Sequence, residues 1–184
     1  MTESSIPSNP ISIRRISGGS IKTTLTSSIC LNENSSIQRE FITIDDDKSP
    51  ASIVACVGVM TIYKGRTDYS VGGYNYLSKY AISATEEIRA FELRFLVFNI
   101  WGEHIRTLSS THIEDVSAGA VVNYDGEWNL FSESEASEHY ASIAYIATIR
   151  TSSGRVYKMD THSIVLEARR FSEKFTDTNL EPTK

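Results

Sequence analysis

The chain has 184 residues, 40% of them hydrophobic and 22% charged, the composition of one globular domain able to bury a full core. Its formal net charge of −5 excludes the basic footprint of a nucleic-acid-binding domain and argues against recruitment to anionic lipid. Two cysteines, Cys30 and Cys56, are too few for a disulfide framework.

Taken in chain order, Met1–Pro10 reads as a disordered tail, with neither the charged nor the apolar region of a leader. Taken as a complete chain, the protein is then expected in the cytoplasm, since no window approaches the roughly 18 apolar residues of a membrane span. The rest of residues 1–35 is rich in Ser, Thr, Asn and Ile and reads as loosely structured or as an early edge strand, jointed at Ser17-Gly-Gly-Ser20. Arg14-Arg15-Ile16-Ser17 has the shape of a basic kinase site, but two arginines before a serine recur by chance. Gly18-Gly19 follows no clear strand and opens no helix, so it is not a phosphate loop.

Domain 36–163 reads as the folded body. Ser36–Ile44 is a strand stopped by Asp45-Asp46-Asp47-Lys48-Ser49-Pro50. Ser52–Tyr63 is β-branched and apolar on both faces, which predicts a strand in mid-packing or at an interface, with Gly58 marking a bulge or a close backbone approach. Lys64–Gly73 is a polar loop and Tyr74–Ser83 a strand. In Ile88–Ile100, Phe91, Leu93, Phe95 and Val97 share one face. The other face begins polar at Glu92 and Arg94 and turns apolar at Leu96, Phe98 and Ile100. That end needs a cover, for which the C-terminal helix, the tyrosine loop and a partner chain are the candidates. Trp101-Gly102 turns the chain into Glu103–Leu108, and Ser117-Ala-Gly119 is a second turn. Ala120–Leu130 is a strand, Ser132–Glu138 an acidic loop, and Ser142–Arg150 and Val156–Met159 a hairpin through Ser152-Ser-Gly-Arg155. In residues 164–175, Ile164, Ala168, Phe171 and Phe175 recur at spacings of three and four, which predicts an amphipathic helix. Residues 176–184 form a tail. About seven strands and one helix give an all-β fold class, an antiparallel β-sandwich.

Phe91–Gly102 resembles the core hairpin of bacterial immunoglobulin-like domains of the FxLYD type: alternating apolar residues, then an aromatic, a glycine turn and a short return strand. Val116-Ser-Ala-Gly119 and the hairpin Ile146–Tyr157 are similar to later parts of such domains, so the resemblance covers residues 75–160. It implies an immunoglobulin-like sandwich that acts as an accessory module, and it supplies no catalytic residues.

Tyr69, Tyr74, Tyr76 and Tyr80, beside Gly72-Gly73, are candidates for a ring-lined surface that contacts sugar or peptide; the competing reading is that strand tyrosines cover the sheet. Trp101, at a turn tip, is either an exposed anchor for a partner or a lid over the sandwich end, whereas Trp128 reads as core. Asp45-Asp46-Asp47 offers hard oxygen ligands, but consecutive aspartates do not converge and a solvated turn explains them. The loop with Glu133, Glu135, Glu138 and His139 lacks zinc spacing and reads as solvated. His104, His112, His139 and His162 lie on different elements, with His104 read as a surface group. Cys56 sits among apolar residues that make a thiol inert. No catalytic residue, metal or cofactor is assigned. The expected function is a non-catalytic interaction module that binds a protein partner or itself. The alternatives are a sugar or small-ligand module using Tyr69, Tyr74 and Tyr76, and an enzyme in which a histidine meets a carboxylate or Cys56.

Overall fold

The alternation in Ile88–Asn99 organises the fold. In the computed structural model, which describes residues 13–18, 21–28, 39–63 and 73–183, Phe91, Leu93, Phe95 and Val97 are 0–2% exposed between two sheets, and Leu96 and Phe98 are equally buried on the opposite side. One strand therefore joins two cores, as a strand with one apolar face throughout and a second at one end must.

The strands are β1 (Ile13–Gly18), β2 (Ile21–Ser28), β3 (Arg39–Asp46), β4 (Ala51–Tyr63), β5 (Gly73–Ala84), β6 (Ile88–Asn99), β7 (His104–Val116), β8 (Val121–Phe131), β9 (His139–Thr151) and β10 (Val156–Lys158). The larger sheet runs β1-β2-β3-β9-β6-β7, with β10 also on β9, and the smaller runs β4-β5-β8. Neighbours are antiparallel except β3 and β9, which run parallel through Glu40–Ile44 and Ala141–Tyr145. The protein is thus an all-β, sandwich-like fold, with ten strands among the described residues where about seven were expected. Two of the extra strands, β1 and β2, pair as a hairpin across the Ser17-Gly-Gly-Ser20 joint and add to the edge of the larger sheet. Met1–Pro10 and the Lys64–Gly72 part of the polar loop lie outside the described residues.

Phe41, Tyr76, Tyr80 and Ile82 meet the inner face of β6 between the sheets. The second core lies outside the larger sheet. There Ile42, Ile44, Leu96, Phe98, Ile143 and Tyr145 are covered by Ile164, Val165 and Ala168 of helix α2 (Thr161–Ala168) and by Phe175 and Leu180 beyond it. Of the three covers considered for this end of β6, it is the C-terminal segment that closes it.

Several boundaries differ from the sequence reading, each for a physical reason. The helix stops at Ala168 because Arg169 caps it and its Nε donates to the Phe175 carbonyl (3.0 Å). The chain then turns back and still delivers Phe171 and Phe175 to the same core. Ser132–Glu138 is not a loop: Glu133–Glu138 forms helix α1 under a reciprocal cap between Ser132 and Glu135. β7 continues past Leu108 to Val116. Its polar stretch Ser109–Asp115 is a strand because β7 is an edge, so one side of it meets solvent and the other the open margin of the sandwich. Residues 176–183, read as a tail, include a 3₁₀ turn at Asp177–Leu180 and are tied to the sheet. Arg94 Nη1 donates to the Leu180 carbonyl (2.9 Å), and Thr183 N donates to the Thr107 carbonyl (2.8 Å). Gly58 marks a close approach: a Cβ there would fall inside contact distance of the Tyr76 hydroxyl and the Phe41 ring.

Candidate functional site

The exposed feature built with the most order is the tip between β6 and β7. Asn99, 6% exposed, organises it. Its Oδ1 accepts from the amides of Trp101 (3.1 Å) and Glu103 (2.9 Å), and its Nδ2 donates to Glu103 Oε2 (2.9 Å). The Asn99 amide donates to the Glu103 carbonyl (3.0 Å), and the Ile100 amide donates to the carbonyl of Glu138 at the end of α1 (2.9 Å). Gly102 takes φ +82°, which closes the turn. On this base the Trp101 ring stands 72% exposed, so Trp101 is not a lid. Ile100, expected to be buried, is 42% exposed, because the turn begins there and swings its side chain outward.

Of the four tyrosines, the two whose side chains are described, Tyr76 and Tyr80, are buried. Tyr76 is wholly buried, its ring within about 6 Å of those of Phe95, Trp128, Phe131 and His139, and burial pushes its phenol pKa up. Tyr76 is therefore a core residue and not a surface contact for a ligand, since it faces inward with Ser78, Tyr80 and Ile82 along β5. Tyr80 is also buried, its Oη 2.6 Å from His112 Nε2 and donating to Ser110 Oγ at 3.1 Å. Tyr74 pairs by its backbone with Ile62 and Phe131, but its side chain lies outside the described residues, as does all of Tyr69. Trp128 is half-buried against Phe95 and donates from Nε1 to the Ser109 carbonyl (3.2 Å), joining the two sheets at their open margin.

The histidines occupy separate places. His104 is half-buried rather than a surface group; its Nε2 lies 2.9 Å from Thr107 Oγ1, and desolvation lowers its pKa to about 4. His139 belongs to the core, 3.1 Å from Ser142 Oγ, with its pKa lowered to about 3 by burial, so it is no part of a solvated acidic loop. His162 is exposed in the first turn of α2. His112 lies 3.0 Å from Ser110 Oγ, the spacing of a nucleophile and its base, yet the Tyr80 hydroxyl sits closer to the same nitrogen. The three groups form a tie from β5 to β7, and desolvation lowers the His112 pKa. Burial pushes the Cys56 thiol up to about 12, which removes its thiolate near neutral pH.

Asp45 and Asp46 are structural rather than solvated. Asp45 Oδ1 accepts from the Ile53 amide (2.8 Å), and Asp46 accepts from the Lys48 amide (3.0 Å) and the Tyr157 hydroxyl (2.7 Å). Among the described residues no three His, Cys, Asp or Glu side chains are grouped to hold a metal ion, and no helix is long and apolar enough to cross a membrane. The sequence reading missed Asn99, although an Asn before an aromatic-glycine turn is a turn signal. It also missed the Tyr80–Ser110–His112 tie, because it ended β7 at Leu108.

No protein-family model and no curated protein matches the chain. Among solved structures, that of a hypothetical protein from Peptoclostridium difficile 630 aligns with 73% of this chain and 98% of its own, at 11% identity and a TM-score of 0.42.

Proposed function

We propose that this protein is a non-catalytic interaction module that docks a protein partner through the β6–β7 tip, with Trp101 as its anchor. The carrying observation is an indole 72% exposed on a turn whose backbone is held by a buried asparagine. A large ring on a rigid base loses little conformational entropy on binding, and tryptophan is enriched among residues that dominate interface energies. Ile100 beside it extends the apolar surface. The antiparallel β6–β7 and β9–β10 hairpins support an immunoglobulin-like reading of the FxLYD type, and the free Cys56 thiol supports a reducing, cytoplasmic setting.

A photoreactive phenylalanine analogue at position 101, introduced in cells that make the protein, tests the reading. The expected result is one discrete cross-linked protein, absent when the analogue replaces the exposed Val121 and displaced by excess wild-type protein but not by the Trp101→Ala variant. Equal labelling from both positions, or none from position 101, overturns it.

A further inference from the structure

The charges around the β6–β7 tip are not balanced. Glu103 is exposed, and its carboxylate is held in place because Oε2 accepts from Asn99 Nδ2 (2.9 Å). The same residue fixes its backbone: the Glu103 amide donates to Asn99 Oδ1 (2.9 Å), and the Glu103 carbonyl accepts from the Asn99 amide (3.0 Å). Half-buried Glu138 stands at the base of the tip, where its carbonyl accepts from the Ile100 amide (2.9 Å). Among the described residues neither carboxylate is paired with a cation. The arginines that the contacts bring toward the tip are already engaged. Arg106 pairs with Glu135 at 3.3 Å and lies over the Phe131 ring. Arg170 precedes Phe171, whose carbonyl lies beside Gly102, and it donates to Glu167. Arg169 donates from Nε to the Phe175 carbonyl (3.0 Å). The tip therefore presents an indole, 72% exposed, beside anionic groups that lack a counter-charge, on a chain of net charge −5.

We propose that the tip takes an arginine of its protein partner, whose guanidinium lies flat on the Trp101 indole and turns its edge to Glu103, with Glu138 adding to the attraction. This inference rests on the docking reading above and names the chemistry of what docks. Indole is the side-chain ring that attracts a cation most strongly, through the negative face of its quadrupole. A guanidinium suits the site better than an ammonium. It is planar and weakly hydrated, so it stacks on the ring, and its edge keeps N–H donors for a carboxylate. The Asn99 side chain ties both the Trp101 amide and the Glu103 carboxylate, so the turn is ordered before a partner arrives. Little ordering is then left to oppose binding. Other segments fit less well. An acidic side chain over the ring meets Glu103 as a like charge, and an apolar one covers that carboxylate without pairing it. The charged groups are exposed, so salt screens the attraction over about 10 Å at 0.1 M ionic strength.

The indole N–H resonances of the full chain test the proposal, with the peptide Gly-Arg-Gly-Arg-Gly as probe and its lysine and glutamate counterparts alongside. A short peptide binds weakly, and resonance shifts read weak binding. The chain has two tryptophans, and Trp101→Phe assigns the Trp101 signal; Trp128, whose Nε1 is bonded to the Ser109 carbonyl, is the internal reference. The arginine peptide shifts the Trp101 resonance saturably, the lysine peptide binds more weakly, and the glutamate peptide leaves the resonance in place. Glu103→Gln combined with Glu138→Gln weakens the arginine peptide by about tenfold. Glutamine at position 103 keeps an acceptor for Asn99, and circular dichroism confirms the fold. Glu87→Gln combined with Asp125→Asn changes the net charge equally at exposed positions away from the tip and leaves the affinity unchanged. A Trp101 resonance unmoved by the arginine peptide, one moved equally by the glutamate peptide, or an affinity untouched by the tip variant overturns the proposal. A discrete cross-link from position 101 beside a silent titration overturns this inference alone and leaves the docking reading standing.

Discussion

At the scale of single residues, two positions carry the inter-sheet core. Phe95 is fully buried against Tyr76, Tyr80 and Trp128, with ring centroids 5.1–6.0 Å apart. Phe95→Ala should lower the unfolding free energy by about 3–5 kcal/mol in a denaturant titration, the usual loss for a buried ring. A loss under about 1 kcal/mol would place the ring outside the core. Gly58→Ala tests the same layer from the opposite direction. The added methyl has to displace the Tyr76 phenol or Phe41, both enclosed, so the variant should be destabilised by about 1–3 kcal/mol. A Gly58→Ala melting temperature equal to the wild type's would show that the strands open there without strain. The apolar alternation of β6 made Phe95 readable from sequence. The partner that makes Gly58 indispensable was not readable, because Tyr76 reaches it from another strand.

At the scale of elements, the β6–β7 hairpin and α1 act together, since the Ile100 amide is bonded to the last turn of α1. Asn99→Ala removes the acceptor that ties the Trp101 and Glu103 amides, at a cost of about 0.5–1.5 kcal/mol for each bond lost. The expected result is a lower melting temperature together with faster local motion of Trp101 in time-resolved fluorescence anisotropy. Unchanged anisotropy would mean that the turn is held by Gly102 and the backbone alone. The helix at the C-terminus was legible from Ile164, Ala168, Phe171 and Phe175 as an apolar stripe. Its early end was not, because the bond from Arg169 to the Phe175 carbonyl is a product of the turn it closes. β7 was legible only in its first half. A strand whose residues face solvent on one side and a polar tie on the other carries no apolar alternation to read.

At the scale of the whole molecule, buried histidines make stability depend on pH. His139 and His104 have folded pKa values of about 3 and about 4, both below the 6.5 of an unperturbed imidazole, because the folded interior resists their charge. Above pH 6.5 each is neutral in both states and stability is intact. As pH falls below 6.5 the unfolded chain takes up protons that the folded chain refuses, and stability declines until the folded pKa is reached. Well inside that window, His139 contributes a loss of about 1.4 kcal/mol per pH unit. Melting temperatures of the wild type and His139→Gln, measured from neutral pH down toward 4.5, should therefore diverge, the variant falling less steeply. Parallel slopes would show that His139 takes up its proton without penalty. The sequence by itself determined the all-β class, the double-sided burial of β6 and the three glycine turns, because alternation and left-handed turns are local properties of a chain. Only the tertiary structure decided that Tyr76 is core while Trp101 stands in solvent, and that the polar half of β7 lies at the edge of its sheet. Exposure depends on what other strands bring across the sheet, and no spacing along one strand encodes it.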